Sequence, residues 1–189
     1  RKAPLMIWND PIHLPWSDAD KAELILHEET SWLLDQFPPG LHFRPEGGPG
    51  SKTILALWPY HIAQTNRPIW PLNFEPEFVE IIMRGLTRMI PDLAIYLERM
   101  SPPVIDGGYY TKTRENRPLI CPLPISGAYV IGALSGFGIM AAPAAAELLS
   151  AHIVGTTKPA YAGAFDLARY QDPAYQTLLE AWDPTAGQL

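Results

Sequence analysis

The stretch YVIGALSGFGIMAAPAAAELLSAHIVG, residues 129–155, decides the fold of this chain. A short apolar run that is typical of a β-strand ends at Leu134, and the next four residues, 135–138, predict a turn. The alanine-rich run that follows predicts a helix able to pack closely against a neighbouring element. Because proline is best tolerated in the first turn of a helix, Pro143 predicts a helix start between Ile139 and Ala142.

A glycine turn in front of a helix can serve a negatively charged group. Gly136 and Gly138 leave room for another molecule to approach the main chain closely. The first N–H groups of a helix are unpaired and lie at the positive end of its dipole. This combination favours an anion, although a strand–helix junction that binds nothing has the same pattern.

Composition excludes several classes of function. The chain has 189 residues, 47% of them hydrophobic, which suffices for the core of at least one domain. The net charge of −6 is scattered along the chain, so we expect no nucleic-acid surface. A single cysteine, Cys121, excludes an internal disulfide and a thiolate metal cluster, and no histidine spacing predicts a metal site.

Proline and glycine divide the chain into short elements. The 21 prolines argue against a simple helix bundle. The longest run of low charge, residues 118–146, contains prolines and glycines throughout, so we expect no membrane span. We expect a soluble protein in an intracellular rather than a secreted environment.

Two helical regions are predicted in the first half of the chain. Ser17 predicts the start of one helix, or of two short ones, and this helical region closes before Pro38. An amphipathic helix is predicted over residues 76–90, where Pro91 interrupts it. The first helical region is expected to bury these apolar side chains: Leu24, Leu26, Trp32, Leu33 and Phe37.

Extended segments fill much of the remainder. GGPGSKT, residues 47–53, lacks the glycine before lysine that a phosphate-binding loop needs, so it predicts a hairpin turn. Residues 102–134 predict a three-stranded β-meander, and the tail predicts two short helices. The fold class is therefore α+β, with an antiparallel sheet that carries helices.

The second half of the chain resembles a known family. The order GGYYTKTRENRPLI, GAYVIGALSGFGIMAAPAAAELLSAHIVG and YAGAFDLARY is similar to the C-terminal segment of the FAD-dependent D-amino-acid oxidase, glycine oxidase and sarcosine oxidase superfamily. The match runs from Asp106 to Tyr170, and segments such as LALWPYH extend the resemblance over the earlier chain.

The resemblance implies a division into two parts. Residues 1–101 would be a portion of the substrate-binding domain, and residues 102–189 the C-terminal β-meander and Ala-rich helix of a Rossmann-like FAD-binding domain. The N-terminal half of that domain, with its GxGxxG unit, is not in the sequence. We therefore expect a fragment, a cleavage product or one partner of a split protein, with the missing half as its partner.

The resemblance also implies a cofactor site. The glycine turn would contact the flavin ring, mainly through backbone atoms, and two residues upstream would lie near the cofactor. The implied FAD-binding residues are Gly108, Arg117, Ser135, Gly136, Phe137, Gly138 and Ile139. Gly108 stands where sarcosine oxidases carry the cysteine that tethers flavin, so we expect non-covalent FAD.

The implied substrate site is aromatic. Tyr60, His61 and Tyr110 are the candidate catalytic residues, and we expect strand alternation to turn Tyr110, not Tyr109, inward. The expected reaction oxidises the C–N bond of an amine or amino acid to an imine.

Departures from the family leave alternatives open. Tyr110 and Met140 stand where relatives anchor a substrate carboxylate, and Ala56 stands where sarcosine oxidases have their oxygen-activating lysine. A flavin dehydrogenase that passes electrons to a carrier is therefore one alternative. A non-catalytic module paired with a partner chain is the other.

Overall fold

The computed structural model describes residues 4–61 and 64–183. The chain divides into two compact units, Arg1–Gly107 (unit 1) and Gly108–Leu189 (unit 2). Both contain helices and small antiparallel sheets, so the predicted α+β class is confirmed at that coarse level. The assignment of a substrate domain and a flavin domain stays a prediction.

Unit 1 combines a three-stranded sheet, a two-stranded sheet and four helices. In chain order these are β1 (Met6–Trp8), β2 (Ile12–His13), α1 (Asp18–Leu24), α2 (Glu28–Ser31), β3 (Gln36–Phe37), β4 (Leu41–Glu46), β5 (Thr53–Leu57), α3 (Phe78–Met89) and α4 (Tyr96–Arg99). Short 3₁₀-helices occupy Trp32–Leu34 and Pro91–Ile95. Strand β4 pairs with both β1 and β5, and β2 pairs with β3.

The core of unit 1 lies between helix α3 and strand β4. Ile81 and Leu86 of the helix are fully buried, as is Leu41 of the strand. Gly85 allows the close approach, since a Cβ atom there would lie 2.6 Å from Cζ3 of Trp58 and 2.7 Å from Cδ2 of Leu41. The predicted helix over residues 76–90 is confirmed with slightly tighter bounds, and the predicted interruption at Pro91 is confirmed as well.

The predicted helix start at Ser17 is confirmed. The Ser17 hydroxyl accepts a hydrogen bond from the backbone N–H of Asp20, whose carboxylate accepts one from the backbone N–H of Ser17. This reciprocal pair is a capping box. The predicted burial of Leu26 is wrong: its side chain is exposed, because helix α1 ends at Leu24 and the chain turns outward before α2.

The GGPGSKT segment connects β4 to β5 in an antiparallel hairpin, as predicted. Gly47, Gly48 and Gly50 all have φ between 78° and 88°, a backbone conformation that favours glycine. A strand, not a helix, follows the lysine. The structure therefore agrees with the sequence in excluding a phosphate-binding loop here.

Unit 2 packs one long helix against a β-hairpin. Its elements are β6 (Leu119–Pro122), β7 (Tyr129–Gly132), α5 (Gly138–Val154) and α6 (Pro173–Glu180), with 3₁₀ turns at Ser135–Phe137, Ala162–Phe165 and Leu167–Gln171. Ile120 of β6 lies in a small core with Ala145 and Leu148 of α5. The alanine lets helix and hairpin approach closely, as the sequence predicted.

The expected three-stranded meander is wrong. Residues 102–113 form no strand, and within the described part of unit 2 only β6 and β7 pair. Pro102 and Pro103 cannot donate ladder hydrogen bonds, and Gly107 and Gly108 weaken a strand. The first third of the meander is therefore an extended segment without sheet partners.

Helix α5 begins at Gly138, just before the predicted range. Pro143 is the sixth helical residue, so the prediction that it lies in the first turn is wrong. Its ring nitrogen cannot donate to the Ile139 carbonyl, yet the helix continues to Val154. Gly155 ends the helix in the left-handed conformation with φ +75°, which is a common glycine C-cap.

Candidate functional site

Tyr60 and His61 meet one carboxylate in unit 1. The Tyr60 hydroxyl donates a hydrogen bond to Oε1 of Glu75, and Nε2 of His61 lies 2.8 Å from the same oxygen. Tyr60 is buried, the Glu75 side chain is 22% exposed and the His61 side chain is 67% exposed. The three residues therefore form a path from the core of unit 1 to its surface.

The electrostatics of this group follow from its hydrogen bonds. Burial raises the pKa of Tyr60, and the hydrogen bond to Glu75 raises it further. Burial of Glu75 by itself acts to raise its pKa, but hydrogen bonds from Tyr60, the backbone and His61 outweigh that effect and lower it. At neutral pH, Tyr60 is thus a neutral donor and Glu75 an ionised acceptor.

Aromatic rings surround Tyr60. Its ring centroid lies 5.5 Å from that of Phe37, 5.7 Å from that of Trp58 and 5.9 Å from that of Phe78. The His61 ring lies 4.5 Å from the Tyr60 ring at the border of this cluster. The packing fixes the Tyr60 ring, while the imidazole faces solvent.

The glycine turn in unit 2 has the backbone geometry of a sharp strand–helix junction. Ala133 and Ser135 have φ of 54° and 53°, a conformation that L side chains rarely adopt. The backbone N–H of Ser135 donates to the Thr111 carbonyl at 3.3 Å. This bond fixes the turn to the segment that follows Tyr110.

The start of helix α5 is open. No side chain caps it, and a Cβ atom at Gly138 would meet nothing within 4 Å. Phe137 and Ile139 are exposed beside it. A helix start without a side-chain cap, next to an open Gly138, is compatible with the edge of a flavin ring, whereas the chain has no GxGxxG unit for the pyrophosphate.

The remaining predicted site residues of unit 2 lie on its extended segment and on the loop before β6. Gly108 has open space around it, and the Tyr110 ring is half exposed with Nζ of Lys112 at 6.0 Å from its centroid. Since no strand forms there, the strand alternation that was expected to turn Tyr110 inward does not apply. Nη1 of Arg117 donates to the Tyr175 hydroxyl at 3.4 Å.

Sequence reasoning missed a buried polar cluster in unit 2. Oε1 of Glu115 accepts hydrogen bonds from Nε and Nη2 of Arg169 at 3.1 and 2.8 Å. The hydroxyls of Tyr170 and Tyr175 donate to the same oxygen at 3.0 and 2.9 Å. Glu115 and Arg169 are 54 residues apart, so no local pattern could have paired them.

Sequence reasoning also missed Glu75. The carboxylate follows an extended segment without regular structure, and its link to Tyr60 spans 15 residues. The sequence signal at this position was the motif Glu75–Pro76–Glu77 at the start of a predicted helix. Such a motif indicates the acidic first turn of a helix and does not point to a functional site. Its role in the site is visible only after folding.

Much of helix α5 is exposed. Ile139 is 94% exposed and Val154 74%, while Leu148 is buried. By length and composition, Ser135–Val154 is apolar enough to cross a membrane, a test that core helices of soluble proteins also pass. The expected absence of a membrane span therefore stays a prediction.

No protein-family model, curated protein or solved structure matches this chain. The resemblance to the flavin-dependent amine oxidoreductases thus rests on the order and spacing of the motifs in the sequence.

Proposed function

We propose that this chain is the C-terminal part of an FAD-dependent oxidoreductase that oxidises the C–N bond of an amine or amino acid to an imine, which water then hydrolyses. The observation that carries the proposal is the junction between β7 and α5. Two residues with positive φ, an uncapped helix start and an unobstructed Gly138 coincide with the motif of the resemblance.

The proposed cofactor site uses backbone atoms. Residues 135–139 would hold FAD, non-covalently, through N–H groups at the start of α5, with Gly108 and Arg117 as further candidates. FAD, when bound, supplies the hydride acceptor. The positive end of the helix dipole would stabilise negative charge at the flavin ring without reorganisation of the protein.

The proposed substrate-site residues would orient the substrate and accept a proton from it. His61 would take a proton from the substrate ammonium, because hydride can leave carbon only when the neighbouring nitrogen has a free electron pair. Tyr60 would hold Glu75 beside His61 through its buried hydroxyl, and Tyr110 is proposed separately as an exposed aromatic contact for the substrate. Pyrophosphate recognition would come from a partner half with the GxGxxG unit.

Two observations favour the alternatives. Ala56, which has no ionisable side chain, favours a dehydrogenase that passes electrons to a carrier instead of oxygen. The exposed apolar surface of α5 is equally suited to a non-catalytic module that pairs with another chain.

The experiment that tests the proposal is a visible absorbance spectrum, with intact mass, of the chain copurified from its native source. A flavin spectrum and additional polypeptide beyond this 21.0 kDa chain are expected. Colourless protein that stays colourless with added FAD would contradict the proposal.

A pair of glycine variants locates the flavin. Gly138→Leu adds a side chain where no protein atom lies within 4 Å, so the fold tolerates it, but the side chain would occupy the flavin's place. We expect flavin affinity to fall by about tenfold or more, which corresponds to about 1.4 kcal/mol. Gly163→Leu has equally open surroundings and serves as the matched control. Equal flavin content in both variants would exclude the turn as the site.

A further inference from the structure

We propose that Glu75 is a positioning residue that sets the tautomer of His61 and thereby makes Nδ1 the nitrogen that accepts a proton from the substrate. This inference rests on the proposed function for the identity of the proton donor. The geometry on which it depends lies entirely within unit 1.

The first step is the direction of the hydrogen bonds at Glu75. Its pKa is lowered, since hydrogen bonds outweigh the effect of burial, and an ionised carboxylate can only accept hydrogen bonds. The Tyr60 hydroxyl therefore donates to Oε1, and so must Nε2 of His61, 2.8 Å from the same atom. In neutral imidazole only one nitrogen carries a proton, so that proton is on Nε2.

The second step concerns the other nitrogen. Within residues 4–61 and 64–183, Nδ1 of His61 has no hydrogen-bond partner, and the ring is largely exposed. Among the described residues, Nδ1 is therefore left as an acceptor, on a side chain that is 67% exposed. In the transfer, an N–H bond of the substrate ammonium breaks, its electron pair stays on the substrate nitrogen, and the proton forms the Nδ1–H bond.

The third step is the fate of the positive charge. Protonated His61 has a carboxylate at 2.8 Å, which stabilises the imidazolium by a charge-assisted hydrogen bond. The Tyr60 hydroxyl holds Glu75 from the core side, and the packed Tyr60 ring gives that hydroxyl a fixed position. Glu75 therefore acts through His61 and has no need to touch the substrate.

The test is ¹⁵N NMR of the histidine side chains of the full chain, at a pH where His61 is neutral. Loss of one set of signals in His61→Gln assigns His61 among the 5 histidines. In the wild type we expect a protonated Nε2 and an unprotonated Nδ1. In Glu75→Gln the ratio of the Nε2–H to the Nδ1–H tautomer should fall by about threefold or more, because a neutral amide is a weaker acceptor.

Three further variants distinguish a specific effect of Glu75 on the His61 tautomer from a general disturbance of the fold. Glu75→Asp keeps the charge but shortens the side chain, and it should also lower the tautomer ratio, which keeps the test valid if Glu75→Gln misfolds. Tyr60→Phe retains the carboxylate and should leave the Nε2–H form dominant. Glu77→Gln removes a neighbouring carboxylate that has no bond to His61 and should change nothing.

An unchanged tautomer ratio in folded Glu75→Gln or Glu75→Asp would overturn the inference. Because flavin takes no part in this measurement, that result leaves the proposed function standing. A colourless native complex would instead remove the proposed function and leave the tautomer assignment intact.

Discussion

At the residue scale, Glu115 and Arg169 form a buried ion pair in unit 2, with side chains 1% and 4% exposed. Tyr170 and Tyr175 complete the hydrogen bonds of one carboxylate oxygen. Removing one partner of such a pair lowers the free energy of unfolding more than removing both, because the remaining charge is left buried without compensation.

Arg169→Met is therefore expected to destabilise unit 2 by about 3–5 kcal/mol. Chemical denaturation together with hydrogen exchange at the Ile120 amide measures this, since that residue lies in the core of unit 2. The double variant Glu115→Leu/Arg169→Met is the control and should be more stable than the single variant. A single variant within about 0.5 kcal/mol of the wild type would contradict the importance of the pair.

The same pair gives unit 2 an acid-sensitive stability. Burial acts to raise the pKa of Glu115, but hydrogen bonds from Arg169, the backbone and the two tyrosines outweigh it and lower the pKa below 4.5. A lowered pKa in the folded state stabilises the fold above the unfolded value, and this contribution is lost as pH falls through the folded value. Glu115→Leu/Arg169→Met should lack this part of the acid destabilisation.

Individual residues also show how much of the candidate site could be predicted from the sequence. The pattern of the chain singled out Tyr60 and His61 as neighbours on one segment, and the structure places them on one carboxylate. It did not single out Glu75, because spacing along a chain cannot show which loop returns to which side chain. Distant hydrogen-bond partners follow from folding alone.

At the element scale, helix α3 packs closely against the sheet of unit 1 because Gly85 has no side chain. Gly85 brings the helix so close to Trp58 and Leu41 that a Cβ atom would overlap both. The helix propensity of alanine would favour the substitution by about 1 kcal/mol, so the packing clash and the propensity oppose each other.

We expect the clash to dominate in Gly85→Ala, with a net loss of about 1–3 kcal/mol from overpacking. Thermal and chemical unfolding, followed by hydrogen exchange in β4, measure the loss. Gly138→Ala, which also lies in a helix but has no neighbour within 4 Å, should be neutral or slightly stabilising. Equal effects at the two glycines would show that close packing at Gly85 is not needed.

Element prediction succeeded where local signals agree. The Ser17 cap and the amphipathic pattern of α3, which ends before Pro91, each mark a helix through interactions within a few residues. It failed for the meander, because a strand exists only where another strand pairs with it. Apolar and extended residues in 102–113 satisfied the local pattern, but no strand of the described chain pairs with them.

At the scale of the whole molecule, unit 2 carries an apolar helix of which little is buried. Only one side of α5 packs on the hairpin, through Ala145 and Leu148, while Ile139, Ile153 and Val154 face outward. An exposed apolar surface of this kind favours association and binding of apolar dyes.

Two lysine substitutions on the same helix should separate its faces. Val154→Lys should leave the free energy of unfolding within about 0.5 kcal/mol of the wild type, because the residue is exposed and a cation suits a helix C-terminus. It should also reduce the fluorescence of an apolar-surface dye. Leu148→Lys buries an unpaired charge and should unfold unit 2. If Val154→Lys lost as much free energy of unfolding as Leu148→Lys, the exposed face would have to be covered in solution.

The sequence by itself determined the α+β class, the hairpin at residues 47–53 and the strand–turn–helix unit around residues 129–155, because propensity, capping and periodicity act over a few residues. Only the tertiary structure decided that Glu75 joins Tyr60 and His61, that Glu115 pairs with Arg169, and that residues 102–113 form no strand. Those outcomes depend on which distant segments meet, and burial makes the contact between Glu115 and Arg169 obligatory.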